Sequence, residues 1–142
     1  MMHDDIIEAA RVAHRRFWRS TTDESAGDKQ AVAVTLAWQK SVASKDVKCE
    51  VPIEENLNEK IDVIDFSTAT AYELKASGKN AGHEFYKDIF KLLVYNQRHD
   101  RKLERLVFIT EKKGIARLSK GLGKAVLESV ASYNIDITLI AL

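Results

Sequence analysis

The stretch Ile61-Asp62-Val63-Ile64-Asp65-Phe66-Ser67-Thr68-Ala69-Thr70-Ala71-Tyr72-Glu73-Leu74-Lys75 constrains this chain more than any other. Ile61 and Val63, then Tyr72, Leu74 and Ala76, follow the period-two pattern of half-buried strands, and Ser67 to Thr70 is polar enough to reverse the chain. The segment therefore predicts a β-hairpin. Glu73 and Lys75, two residues apart, project from one face of its second arm. Which aspartate stands opposite Glu73 depends on register, because Asp62 and Asp65 are an odd number of residues apart and face opposite ways on a regular strand. If Phe66 pairs with Ala69 across Ser67-Thr68, Asp62 faces Glu73; a three-residue loop at Thr68 to Thr70 brings Asp65 there instead.

Two carboxylates converging from adjacent strands offer the hard oxygen donors that Mg²⁺ or Mn²⁺ prefers, and the Leu74 carbonyl can add a third. A metal held there polarises a phosphate ester and lowers the pKa of a bound water. Lys75, on the face of Glu73, is placed to orient or activate that water and to offset transition-state charge. The bland alternative is a solvated sheet face on which Glu73 and Lys75 form surface pairs worth well under ~1 kcal/mol.

The rest of the chain supplies a frame for the hairpin. Apolar residues recur at helical spacing from Asp4 to about Arg19, opposite Arg11, Arg15, Arg16 and Arg19, and again from Ser25 to Lys45 along Val34, Trp38 and Val42. Ser25 with Asp28 reads as the start of this second helix. Val47 to Ile53 reads as a strand, and His83 to His99 as a helix with Phe85, Ile89, Phe90, Leu93 and Val94 turned inward. A strand follows at Arg105 to Thr110, then a turn at Glu111 to Gly114 and a helix at Leu118 to Tyr133. The run Ile135 to Leu142 is apolar on both faces, as suits a buried strand flanked by helices. The order predicts an α/β fold, a mixed sheet of about five strands between helices.

Helix, three strands, helix, strand, with an aspartate in the second strand and Glu73-Leu74-Lys75 in the third, resembles the PD-(D/E)xK nuclease superfamily. The resemblance implies a restriction endonuclease-like αβββαβ core over about Ser25 to Thr110, plus an N-terminal helix and a C-terminal helix and strand. It favours Asp62 over Asp65, since Asp62 sits early in its strand and is followed by Val63-Ile64. Residue 61 is isoleucine where the motif's name has proline. The resemblance implies Asp62, Glu73 and Lys75 as catalytic residues, with Mg²⁺ or Mn²⁺ on Asp62 and Glu73. Lys91-Leu92-Leu93-Val94-Tyr95 is similar to the Gln-x3-Tyr of several branches, which makes Lys91 and Tyr95 auxiliary candidates. An acid or glutamine on the preceding helix is also implied, with Glu24, Asp28 and Gln30 as options, and Glu50 on the first strand can serve the same end. The implied activity is metal-dependent hydrolysis of DNA by a restriction-like or repair-type endonuclease, possible as a homodimer; an RNA-directed nuclease and a non-catalytic binding module are the rivals.

At 142 residues with 45% apolar content, the chain suits a single domain over residues 1–142, with 1–22 as an N-terminal helical extension. A formal charge of +1 leaves nucleic-acid binding to local patches, for which Lys79, Lys120 and Lys124 are the candidate contacts. The run Ser119 to Lys124 lacks the ending of a nucleotide P-loop. One cysteine, Cys49, suits a reducing, cytoplasmic setting. No run approaches the ~20 apolar residues of a membrane helix. Trp18 and Trp38 read as core or interface aromatics.

Overall fold

The computed structural model describes residues 3–122 and 124–142. Its elements are α1 (His3–Phe17), α2 (Glu24–Val42), β1 (Val47–Pro52), β2 (Lys60–Asp65), β3 (Thr70–Lys75), α3 (Ala81–Arg98), β4 (Arg105–Thr110), α4 (Lys112–Gly121), α5 (Lys124–Ala131) and β5 (Asp136–Ala141). The strands form one mixed sheet in the order β1-β2-β3-β4-β5. β2 runs antiparallel to both neighbours, while β3, β4 and β5 are parallel. Helices cover both faces.

Two apolar clusters define those faces. Ile6, Ala10, Val34, Trp38 and Val42 from α1 and α2 pack on Val63, Tyr72, Leu74 and Val107. Trp38 is fully buried, and its indole N–H donates to the Ile6 carbonyl at 3.0 Å, which satisfies the one polar atom of a large core side chain. On the other side, Phe85, Ile89 and Leu92 of α3, Leu118 of α4 and Val130 of α5 pack on Ile64, Ala71, Leu106 and Phe108. Phe85 meets Phe108 edge-on at 5.4 Å. Along β3, Tyr72 and Leu74 therefore point to α1 and α2, which leaves Ala71, Glu73 and Lys75 for the α3 face.

The hairpin adopts the register that pairs Asp65 with Thr70, Ile64 with Ala71 and Val63 with Tyr72. Continued by one residue, it sets Asp62 opposite Glu73. Asp65 instead serves the turn: its Oδ1 accepts the Ser67 N–H at 3.0 Å and the Ser67 hydroxyl at 2.6 Å.

Several expected features differ from the observed ones. α2 is capped by Asp23, whose carboxylate accepts the Ala26 N–H, and not by Ser25. Glu111 to Gly114 is not a free turn, since α4 begins at Lys112; the expected single helix from Leu118 to Tyr133 is the end of α4 plus α5. Leu122 leaves the helix in extended backbone, between Gly121 and Gly123, residues of low helix propensity. β5 is the edge strand beside β4 and only half-buried, where a buried strand was expected. Phe90 faces solvent, and Leu93 and Val94 are half-buried, because the inward face of α3 is rotated toward Asp88, Lys91 and Leu92. Among the described residues, no helix is long and apolar enough to cross a membrane.

Candidate active site

β2 and β3 pair regularly only as far as Val63 and Tyr72. Beyond that point two carboxylates take over the bonding. The Asp62 N–H donates to Glu73 Oε1 at 3.1 Å, and the Leu74 N–H donates to Asp62 Oδ2 at 3.0 Å. Each acid thus satisfies a backbone amide on the opposite strand, so the strands can part without orphaning a donor.

Across from Asp62 on β1, Glu50 holds φ at 51°, the left-handed region. Its neighbours pair on either side, Cys49 with Val63 and Val51 with Ile61. The kink inverts the alternation: Val47 and Cys49 before it pack toward α1 and α2, whereas Val51 and its partner Ile61 pack toward α3. Glu50 itself is exposed, and its carboxylate is not among the groups bonded to Asp62, Glu73, Lys75 or Lys91. Its contribution is to the backbone around Asp62. From α2, the Gln39 side-chain amide donates to the Asp62 carbonyl at 3.0 Å and braces the same residue.

α3 closes the site with one face, residues 84, 88 and 91, spaced four and three apart. Lys91 Nζ donates to Glu73 Oε1 at 2.9 Å and to the Lys60 carbonyl at 2.6 Å, and lies 3.2 Å from Asp88 Oδ1. Lys75 Nζ lies 3.5 Å from Glu73 Oε2, 3.6 Å from Glu84 Oε2 and 3.6 Å from Asp88 Oδ2. Glu73 and Asp88 are each only 1% exposed. Neither Asp88 oxygen has a well-aligned hydrogen-bond donor, so its pairing with the lysines is ionic.

Asp62, Glu73, Glu84 and Asp88 face two ammoniums, a surplus of two negative charges when all are ionised. The surplus shows in the titration of the group. Burial, then the Glu73 charge, push the Asp62 carboxyl up to about 7, against the pull of Lys75, the Leu74 N–H and Lys91. Burial also raises Glu73, with Asp88 adding to it, and raises Asp88 itself. For Lys75 and Lys91, burial works against the charged form but the surrounding carboxylates, Glu73 and Asp88 foremost, outweigh it and hold both above the usual lysine range.

No group of three or more His, Cys, Asp or Glu side chains forms a metal cage among the described residues. Asp62 and Glu73 are a pair. Their donors are hard carboxylate oxygens, and the surplus of two negative charges equals the charge of one divalent cation, so the residues fit Mg²⁺ or Mn²⁺ in donor chemistry and in charge.

No family model, curated protein or solved structure matches this chain. The site therefore stands on its own geometry.

Lys75 and Glu84 open onto a cleft of about 580 Å³, walled opposite by Trp18, Glu24 and Asp28. Trp18, at the cleft wall, donates its indole N–H to Glu111 at 3.3 Å. Of the helix residues considered beside the site, Gln30 instead accepts the Arg19 N–H. Lys91 joins the cluster; Tyr95, one turn on, is buried in the apolar core and stacks on His99 at 3.9 Å. Lys79 is exposed on the loop after β3, where it lines the cleft, and Lys120 is exposed in the last turn of α4. The side chain of Lys124 lies outside the described residues. Glu84, Asp88 and Gln39 were not anticipated. The four-and-three spacing of Glu84, Asp88 and Lys91 was the available signal, whereas Gln39 stands 23 residues from Asp62 and had none.

Proposed function

We propose that this chain is a PD-(D/E)xK-type nuclease that hydrolyses phosphodiester bonds in DNA, with Mg²⁺ or Mn²⁺ on Asp62 and Glu73 and with Lys75 beside the scissile phosphate. The observation that carries this reading is the reciprocal crossing of Asp62 and Glu73 where β2 and β3 part, with Lys75 on the same face and open to a cleft. The order α2-β1-β2-β3-α3-β4 supports a restriction endonuclease-like core. A bound divalent ion would supply Lewis acidity toward the phosphate and its attacking water.

The chain's own groups have separate tasks. Lys75, held cationic by Glu73 and Asp88, cannot accept a proton near neutral pH; it donates hydrogen bonds, to orient water and to offset charge as the phosphorus becomes five-coordinate. Lys91 fixes Glu73, and Asp88 fixes both lysines, so the acids do not swing out of line. On a duplex, two copies acting on opposite strands would give a double-strand cut.

One observation favours a second reading. Lys91 already neutralises Glu73 at 2.9 Å, as in a self-contained charge network, and such a network would suit a non-catalytic binding module of the same fold. Cleavage assays with Mg²⁺ and Mn²⁺ on duplex DNA and on RNA, run side by side, separate the readings and the substrates. Asp62→Asn, Glu73→Gln and Lys75→Met are each expected to abolish cutting while circular dichroism stays native. Full activity in all three variants would sink the proposal.

A further inference from the structure

Beyond the cleft, α3 presents a surface that the chemistry above does not use. A hollow of about 360 Å³ adjoins the cleft, sharing Lys79 and Asn80 with it, and is lined also by His83, Tyr86 and Arg117. Its character is opposite to that of the cleft. The cleft carries the acids Asp23, Glu24, Asp28, Glu84 and Glu111, whereas no acidic residue lines the hollow among the described residues. Tyr86 is 48% exposed, and one helical turn along α3 Phe90 is 66% exposed. Residues four apart on a helix lie about 6 Å apart along its axis and on one side of it. Two large aromatic side chains in succession are thus held in water on one side of α3.

The framework under this surface is closely packed. A Cβ on Gly78 would come within 2.9 Å of the Gly114 nitrogen, so the loop after β3 rests directly on the start of α4. The Gly78 N–H donates to Glu111 at 2.9 Å, and the Gly78 carbonyl accepts from Arg117 at 2.8 Å. That bond anchors one arm of an exposed guanidinium, whose fork of N–H donors matches phosphate geometry. Tyr86 leans edge-on against Phe85 at 5.7 Å, which steadies its ring.

We infer that this face of α3 binds a single-stranded nucleic-acid segment leading into the cleft, with Lys79 and Arg117 on phosphates and Tyr86 and Phe90 stacking on unpaired bases. Single strands expose the faces of their bases to aromatic side chains, whereas a duplex keeps them stacked inside; a basic hollow followed by spaced aromatics is the arrangement that suits the former. The inference deepens the nuclease reading and rests on it for the direction of the strand. It concerns binding, so it can be tested without cleavage.

The experiment is fluorescence anisotropy in EDTA with labelled oligo(dT), oligo(U) and a blunt DNA duplex, using the wild type and the Tyr86→Ala, Phe90→Ala and Arg117→Ala variants. Single strands should bind more tightly than the duplex, and the better of the two single strands identifies the sugar preferred. Tyr86→Ala and Phe90→Ala should each weaken single-strand binding by roughly 5- to 100-fold and leave duplex binding unchanged. Arg117→Ala should flatten the salt dependence by the equivalent of about one phosphate contact. Wild-type affinity in both aromatic variants overturns the inference. So does a shift from dimer to monomer in those variants, by sedimentation, with oligonucleotide binding intact, since the aromatics would then cover a protein partner. Should binding behave as expected while no metal supports cutting, the catalytic reading fails and this one stands.

Discussion

Replacing Asp62 by asparagine removes one charge but keeps an oxygen that can accept the Leu74 N–H, so it separates electrostatics from hydrogen bonding. Burial and Glu73 raise this carboxyl from the ordinary 3.8 to about 7. With its folded pKa above its unfolded one, the folded state binds the proton more tightly. Folding stability is therefore full below pH ~4 and falls as the pH rises toward 7. About three pKa units at 1.36 kcal/mol each set an upper bound of roughly 4 kcal/mol. Asp62 is only partly buried, so solvent screens some of this, which brings the expected gain for Asp62→Asn at pH 8 to about 2 kcal/mol. For a chain of this size that is roughly 5–10 °C in Tm. Thermal unfolding followed by circular dichroism in EDTA should show this gain at pH 8 and none at pH 4. Adding Mg²⁺ should raise the Tm of the wild type and not that of the variant, because ligand binding to the folded state alone is stabilising. A variant equal to or less stable than wild type at pH 8 would refute the charge-surplus argument.

Lys91→Met should cost about 3–5 kcal/mol by stranding Glu73 and Asp88, and Glu73→Gln added to it should restore part of the loss; urea denaturation of the four-member cycle that shows no coupling would contradict the pairing. Glu50→Gly should stabilise by about 1 kcal/mol because glycine adopts φ near 51° freely, while Glu50→Val should destabilise; chemical denaturation gives the sign of each. Gly114→Ala should cost about 1–3 kcal/mol, since its Cβ would lie 2.8 Å from the Gly78 Cα, and amide exchange should rise at Gly78 to Asn80.

The hairpin was legible from its alternating residues and polar link because both signals act over neighbouring positions. The choice between Asp62 and Asp65 was not legible from alternation alone: it turns on whether Asp65 pairs with Thr70, a difference of one residue in register. α3 was misjudged for a related reason. Counting apolar residues drew its inward face toward Phe90, but Asp88 and Lys91 share the buried face with Phe85, Ile89 and Leu92, since charged side chains can be buried when they pair. Nothing near Gln39 in sequence marks it as a neighbour of Asp62, and although Glu50 was placed by its strand, the kink there was not legible.

By itself, then, the sequence determined the strands, the first three helices and the acid-acid-lysine pattern, because periodicity and turn chemistry depend on residues a few positions apart; the cap of α2 and the division into α4 and α5 were not read from it. Tertiary structure alone decided that β2 and β3 part at Asp62 and Glu73, that Glu50 kinks the strand opposite, and that Asp88 and Lys91 reach down from α3. Those contacts join positions 11 to 18 residues apart or more, and the raised carboxyl of Asp62 arises only when they are buried together.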